Sequence, residues 1–342
     1  MSERIEDIAR KMVAPGKGIL AADESSGTIT KRFEKLGITS TADSRRDYRE
    51  MMFRSPAMKE HISGVILYDE TIRQNAADGT PLVKVIQDAG AVPGIKVDTG
   101  AKDLAGFPGE KITEGLDGLR ERFAEYYKLG ARFAKWRAVI DVGNGLPSWG
   151  ALKANAHALA RYGKLAQEAG IVPIIEPEVI MDGPNSTHDI DRCFQVTAWA
   201  LDTVFDELFE QRVNLEGMVL KPNMVIAGQK SPKQASAQEV AEKTVKVLKA
   251  AVPSAVPGIA FLSGGQSDEQ ATEHLNLIRQ LGPLPWEVTF SYGRALQAAA
   301  METWRGKKES LGAGQKAFAH RARMNGLAAL GKWTAKAEKE AA

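Results

Sequence analysis

Short runs of Val, Ile, Leu and Phe recur along the chain, several of them behind a Gly or Pro. Eight stand out: GILAAD at 18–23, SGVILY at 63–68, PGIKVD at 93–98, FAKWRAV at 133–139, VPIIEPE at 172–178, GMVLK at 217–221, GIAFL at 258–262 and EVTFSY at 287–292. Their shortness and their β-branched and aromatic content predict buried strands. Between them, apolar positions return at helical spacing, as over 116–129, 151–169, 191–207 and 237–251. Strand starts fall about 30–45 residues apart, the length of a βα unit with its loops. Eight such units fit an α/β fold of the closed (β/α)8 barrel type. An open, doubly wound sheet shows the same alternation, so the count alone does not decide.

Polar residues at the strand ends do separate the two. In chain order these ends carry Asp23; Asp69 and Glu70; Lys96 and Asp98; Lys135 and Arg137; Glu176 and Glu178; Lys221; Ser263, Gly264 and Gly265; Gly293 and Arg294. A barrel brings the C-terminal ends of all its strands to one mouth, where active sites of this fold lie. An open sheet would string the same charges along an edge without a focus. The barrel is favoured.

The first 20 residues alternate charged and apolar positions, which predicts an amphipathic helix and not a signal peptide. No stretch approaches 18 uninterrupted apolar residues, so no membrane-spanning helix is expected. From Glu309 onward helix formers dominate, and the chain closes on GKWTAKAEKEAA, whose last few residues are expected to be mobile. Neither a repeat nor a low-complexity linker interrupts residues 1–342, which predicts one barrel domain.

Composition narrows the partners. Apolar residues make up 44% of the 342 and charged residues 26%, which excludes disorder, collagen-like and coiled-coil readings of the whole chain. With 45 basic and 43 acidic residues, nothing in the net charge draws the chain to nucleic acid or a membrane. Cys193 is the only cysteine, so neither an intramolecular disulfide nor a thiolate metal cage is available. A single thiol fits a reducing, cytoplasmic setting.

Residues i and i+2 of a strand share a face. Lys135 therefore points with Arg137, and Glu176 with Glu178. Lys221 points with Val219 and Gly217, the latter expected to leave room for a long lysine, and Pro222 ends the strand. Surface ion pairs are the usual fate of charge. Charges repeated within apolar strands fit that fate poorly, because burying unneeded charge costs several kcal/mol. A shielded lysine among other cations has its neutral amine favoured. Such an amine attacks a carbonyl to form a Schiff base, and a neighbouring carboxylic acid must then move protons. Lys221 is the candidate nucleophile, with Lys96 and Lys135 as rivals; Glu176 and Glu178 are candidates to divide the acid and base work.

Two segments suit phosphate. SGGQS at 263–267 follows the seventh strand and SYGR at 291–294 ends the eighth, the usual phosphate cradle of this barrel. Ser263, Gly264 and Gly293 offer close backbone approach, and Arg294 a bidentate contact. Across the mouth, DESSGT at 23–28 is a second candidate, although Ser25 and Thr28 serve equally well as helix caps. Counting Arg32, Lys96, Lys135, Arg137, Lys221 and Arg294 against Asp23, Glu176 and Glu178, the mouth is expected to be net positive, which suits a doubly phosphorylated substrate. Other signals fail. GLAALGKW at 326–333 lacks the Ser/Thr and the preceding strand of a P-loop. The five histidines form no closely spaced pair that argues for a metal.

In these segments the chain resembles the class I fructose-bisphosphate aldolases. GILAADESSGT, GIKVD, FAKWR, IVPIIEPE, LEGMVLKPNM, FLSGGQS and FSYGRALQ occur in that order and span about residues 18–300. The resemblance implies a (β/α)8 barrel, reversible aldol cleavage of fructose 1,6-bisphosphate, a homotetramer, and no metal or other cofactor. It further implies that Lys221 forms the Schiff base and that Glu176 is the general acid/base. Glu178, Lys135 and Asp23 would support them. Lys96, Arg137, Ser25 and Thr28 would lie toward the distal phosphate, and Ser263, Gly264, Gly293 and Arg294 would hold the phosphate near the carbonyl. Two departures stand out. Many relatives end in a tyrosine that helps protonate the enamine, whereas the last tyrosine here is Tyr292; water or another group is expected to serve. The loop at 184–189 is slightly longer and is expected to meet the tail or a neighbouring subunit. Rival readings are a Schiff-base barrel for another sugar bisphosphate and an idle barrel kept as a binding scaffold.

Overall fold

In the computed structural model, which describes residues 3–143 and 145–340, the apolar runs become strands whose alternate residues serve two different cores. The strands are β1 (Gly18–Ala22), β2 (Ile62–Leu67), β3 (Val92–Lys96), β4 (Ala101–Asp103), β5 (Lys111–Thr113), β6 (Phe133–Ile140), β7 (Val172–Val179), β8 (Val219–Leu220), β9 (Gly258–Phe261) and β10 (Glu287–Tyr292). All but β4 and β5 close into a barrel in the order β1-β10-β9-β8-β7-β6-β3-β2, and every pairing in it is parallel. The fold is the expected (β/α)8 barrel. The hairpin of β4 and β5 stands outside it; its strands are short, and the first is exposed throughout, so no apolar run announces it.

Inward-facing Ile19, Ala21, Ile66, Val92, Phe133, Val172, Ile174, Val219 and Ala260 form an inner core. Ile8, Ala9 and Met12 of the helix Ile5–Met12 join it and close the bottom of the barrel. The outward residues, among them Leu20, Val65, Ile95, Trp136, Ile175, Leu220 and Phe261, pack against the surrounding helices. Those helices start where a capping side chain follows a loop. Ser148, Asp189, Ser236 and Ser267 cap Trp149–Glu168, Ile190–Glu210, Ala237–Ala251 and Asp268–Gln280.

One expectation needs correction. Gly217 is not a strand residue that makes room for Lys221. It ends the short 3-10 turn Leu215–Gly217 at the barrel bottom, where a Cβ would lie 2.6 Å from Ile5 Cδ1, so its missing side chain seats the N-terminal helix. The expected mobility of the last few residues falls on a stretch that includes 341 and 342, which lie outside the described residues; the segment before them is docked. It forms the helix Ala335–Lys339, and Glu338 accepts from Trp333 Nε1 at 2.8 Å and pairs with Arg321. It does not bond the loop at 184–189, which is tied instead by Gly228 N donating to the His188 carbonyl and Lys230 Nζ to that of Pro184. Among the described residues, no helix is long and apolar enough to cross a membrane.

Candidate active site

Strand register assembles the charged residues. β6 and β7 pair from Phe133↔Val172 to Ile140↔Val179, which sets Arg137 across from Glu176 and Val139 across from Glu178. β7 and β8 pair Ile174↔Val219 and Ile175↔Leu220, and the Lys221 N–H donates to the Ile175 carbonyl at 2.8 Å. One step further along both strands, Glu176 and Lys221 are neighbours. β3 and β6 bring Lys96 beside Lys135.

At the centre, Lys221 Nζ lies 3.0 Å from Glu176 Oε1. Lys135 Nζ lies 3.2 Å from Glu176 Oε2 and 2.8 Å from Asp23 Oδ2. Lys135, Glu176 and Lys221 are only 5%, 3% and 4% exposed, so these are buried ion pairs and not solvated ones. Burial alone would push both carboxylic acids up. Lys135 and Lys221 outweigh it and hold Asp23 well below, and Glu176 below, the usual carboxylate range. Burial would likewise lower Lys135, but Asp23 and Glu176 raise it, so Lys135 stays an ammonium and is a poor rival nucleophile. Lys96 turns elsewhere, 3.9 Å from Asp98 Oδ1 and 5.9 Å from the centroid of the Tyr68 ring. Glu178 moves opposite to Glu176. Burial, helped by the charge of Glu176, raises its pKa in spite of Arg137, whose Nη1 donates at 2.8 Å.

All 14 candidate residues line one cavity of about 300 Å³ at the C-terminal mouth of the barrel. Lys221, Glu176, Lys135 and Asp23 form its floor. Ser263 and Gly264 follow β9, and Gly293 and Arg294 follow β10; Ser25, Thr28 and Arg32 follow the adjacent β1, while Lys96 ends β3 and Arg137 lies in β6. Past Gly264, the chain turns at Gly265 with φ +76°, and a Cβ there would be 2.4 Å from Met181 Cβ, so only glycine fits this bend. The capping reading of Ser25 and Thr28 holds alongside their place in the cavity. Ser25 Oγ accepts from the Thr28 N–H at 3.3 Å at the start of the helix Ser26–Glu34, and the two hydroxyls are 3.0 Å apart.

The expected positive excess is absent. Glu24, Asp98 and Asp182 also line the cavity, so six carboxylates face six cations. Arg32 donates to Glu24 Oε1 at 2.6 Å, and each of the other cations has an acidic neighbour. Asp98, named among the strand ends but not counted, shares its face with Lys96, two residues away, and Glu24 sits within the 23–28 motif, so both charges are legible in the sequence. Ser291, part of the 291–294 segment but not singled out with Gly293 and Arg294, belongs with them. It is 1% exposed, lines the cavity two residues before Gly293, and its Oγ has no hydrogen-bond partner. The i, i+2 rule applied backward from Gly293 finds it. Tyr292 faces away, fully buried, with its hydroxyl donating to the Ala271 carbonyl at 2.9 Å. Among the described residues, no group of three or more His, Cys, Asp or Glu is placed to hold a metal ion.

The family model for class I fructose-bisphosphate aldolase matches residues 4–342. A probable fructose-bisphosphate aldolase class 1 of Xanthomonas campestris is 57% identical over 97% of this chain and 98% of its own. Human fructose-bisphosphate aldolase C is 49% identical over 98% of this chain and 92% of its own. A solved structure of Plasmodium falciparum fructose-bisphosphate aldolase, in complex with TRAP and a small-molecule inhibitor, superposes with a TM-score of 0.94. It is 46% identical and covers 96% of this chain and 95% of its own. The chain belongs to the class I fructose-bisphosphate aldolase family.

Proposed function

We propose that the protein cleaves fructose 1,6-bisphosphate reversibly to dihydroxyacetone phosphate and glyceraldehyde 3-phosphate, through a Schiff base on Lys221. The observation that carries this reading is the buried contact of 3.0 Å between Lys221 Nζ and Glu176 Oε1. An amine must lose its proton before it attacks a ketone, and here an ionised carboxylate stands within reach to take it. The amine adds to C2 to form a carbinolamine. Glu176, now protonated, gives its proton to the departing hydroxyl, which leaves as water while the iminium forms. The iminium draws electrons from the C3–C4 bond as the C4 hydroxyl surrenders its proton to the same carboxylate. The aldehyde leaves, and the remaining enamine takes a proton at C3. Tyr292, locked in the core, does not reach C3, and water or another group supplies that proton. Hydrolysis of the iminium then returns Lys221.

Lys135 and Asp23 serve as positioning charges. Lys135, held as an ammonium by Asp23, keeps Glu176 ionised between turnovers and fixes its second oxygen. The phosphate beside the carbonyl binds Ser263, Gly264, Gly293 and Arg294. The distal phosphate binds Ser25, Thr28, Arg32, Lys96 and Arg137, and Glu178 orients Arg137. These cations begin paired with carboxylates, so each phosphate must displace a carboxylate from the cations it binds. The expected outcome is a kcat/KM for fructose 1,6-bisphosphate at least about tenfold above that for fructose 1-phosphate, with cleavage surviving EDTA. Equal values would dissolve the distal site, and loss of activity in EDTA would replace the amine mechanism with a metal one. The same reading places the protein in the cytoplasm as a homo-oligomer, a tetramer by family resemblance.

A further inference from the structure

Each cation of the mouth has an anionic neighbour, and for five of the six it lies inside the cavity. Arg294 is the exception. Its side chain is 48% exposed; Nη2 donates to the Gln266 carbonyl at 2.5 Å, and Nη1 lies 3.6 Å from Asp268 Oδ1. Asp268 opens the helix Asp268–Gln280 and does not line the cavity. A second arginine approaches the same residue from behind. Arg321 is 5% exposed in the helix Leu311–Ala329, and its Nη2 donates to the Asp268 carbonyl at 3.2 Å and to Thr272 Oγ1 at 2.6 Å.

Arg321 already has its own carboxylate. Its Nη1 pairs with Glu338 Oε1, and Glu338 is fixed there by Trp333 Nε1 at 2.8 Å and His320 Nε2 at 3.1 Å. A buried guanidinium without a counterion would turn to the nearest carboxylate. Glu338 spares Asp268 that duty, so the Asp268 carboxylate is left for Arg294. At 3.6 Å the contact exceeds hydrogen-bond length and yields readily to a phosphate dianion, which takes the guanidinium fork directly.

We propose that Asp268, kept available by the Arg321–Glu338 ion pair, is a built-in counter-anion that competes with the substrate phosphate for Arg294 and thereby speeds its release. The proposal rests on reading the mouth as a bisphosphate site, and it makes the docked C-terminal helix a distant contributor to phosphate affinity. Its signature is a gain. A group that merely supported the fold would weaken binding when altered, whereas removing a competitor strengthens it.

The test is calorimetric titration of the full chain with inorganic phosphate, which requires no aldol chemistry. Asp268→Asn is expected to tighten binding about fivefold, the scale of a partly exposed ion pair. The same change should leave binding untouched when made in an Arg294→Ala background. Glu338→Gln should shift binding in the same direction by less, because Arg321 then draws Asp268 away, and it keeps the test open should Asp268→Asn fail to fold. Unchanged or weaker phosphate binding in a folded Asp268→Asn protein, or an equal gain without Arg294, overturns the proposal. A failure of the Schiff-base reading would show separately, as the absence of a covalent adduct on Lys221.

Discussion

Glu176 faces two lysines at once, one to exchange protons with and one to hold it in place. Replacing it with Gln keeps the shape and removes the base. We expect kcat to fall about 10²–10³-fold while KM moves little, read from steady-state cleavage of fructose 1,6-bisphosphate. A fall under fivefold would move the proton work to Glu178. Lys135→Met should lose activity and also about 3 kcal/mol of stability, because it strands Asp23 and takes one of its two partners from Glu176; denaturant unfolding reads the second effect, and an unchanged midpoint would refute the buried network. These residues were legible one by one as charges in apolar strands. Their pairing was not, because it depends on the register of β7 against β8, which no local pattern encodes. For the same reason the charge of the mouth was misjudged. Counting chosen ends gave an excess of cations, whereas the folded mouth matches each cation with an acid.

Among the elements, the loop from Ser263 to Ser267 shows how the phosphate side is braced. Gln266 gives its carbonyl to Arg294 and its side-chain oxygen to His274 Nδ1 at 2.6 Å, so a histidine on the next helix holds the loop from beneath. Burial lowers the His274 pKa from 6.5 to about 4. The folded protein therefore keeps this ring neutral where the unfolded chain protonates it. Stability from this source is full above about pH 6.5 and is lost as pH falls toward 4, roughly 3 kcal/mol in all. Denaturant unfolding at pH 7 and pH 4 checks it: His274→Gln should narrow the difference between the two, and an identical acid loss in the variant would rule the histidine out. Strands and helices were legible as elements because each carries its own apolar period. The exceptions have physical causes. β4 and β5 bury almost nothing, and the segment at 217–221 reads as one strand although its first residue belongs to a turn.

For the molecule as a whole, the barrel is closed below by the helix Ile5–Met12 and open above at the charged mouth. The seal depends on Gly217, so Gly217→Ala should destabilise the protein by about 2 kcal/mol through overpacking against Ile5, and Ile5→Ala should recover part of the loss. Thermal unfolding of the single and double variants decides this, and strict additivity would contradict the contact. The barrel could be read from the sequence because charges recurred at strand ends, a pattern that makes sense only if those ends converge. How the far end of the chain docks could not, since Glu338 reaches Arg321 through folded geometry alone. The proposed chemistry turns on one covalent bond. Borohydride reduction of the protein with dihydroxyacetone phosphate, followed by peptide mass mapping, is predicted to leave the reduced adduct on Lys221; an adduct on Lys96 or Lys135, or none at all, would contradict it.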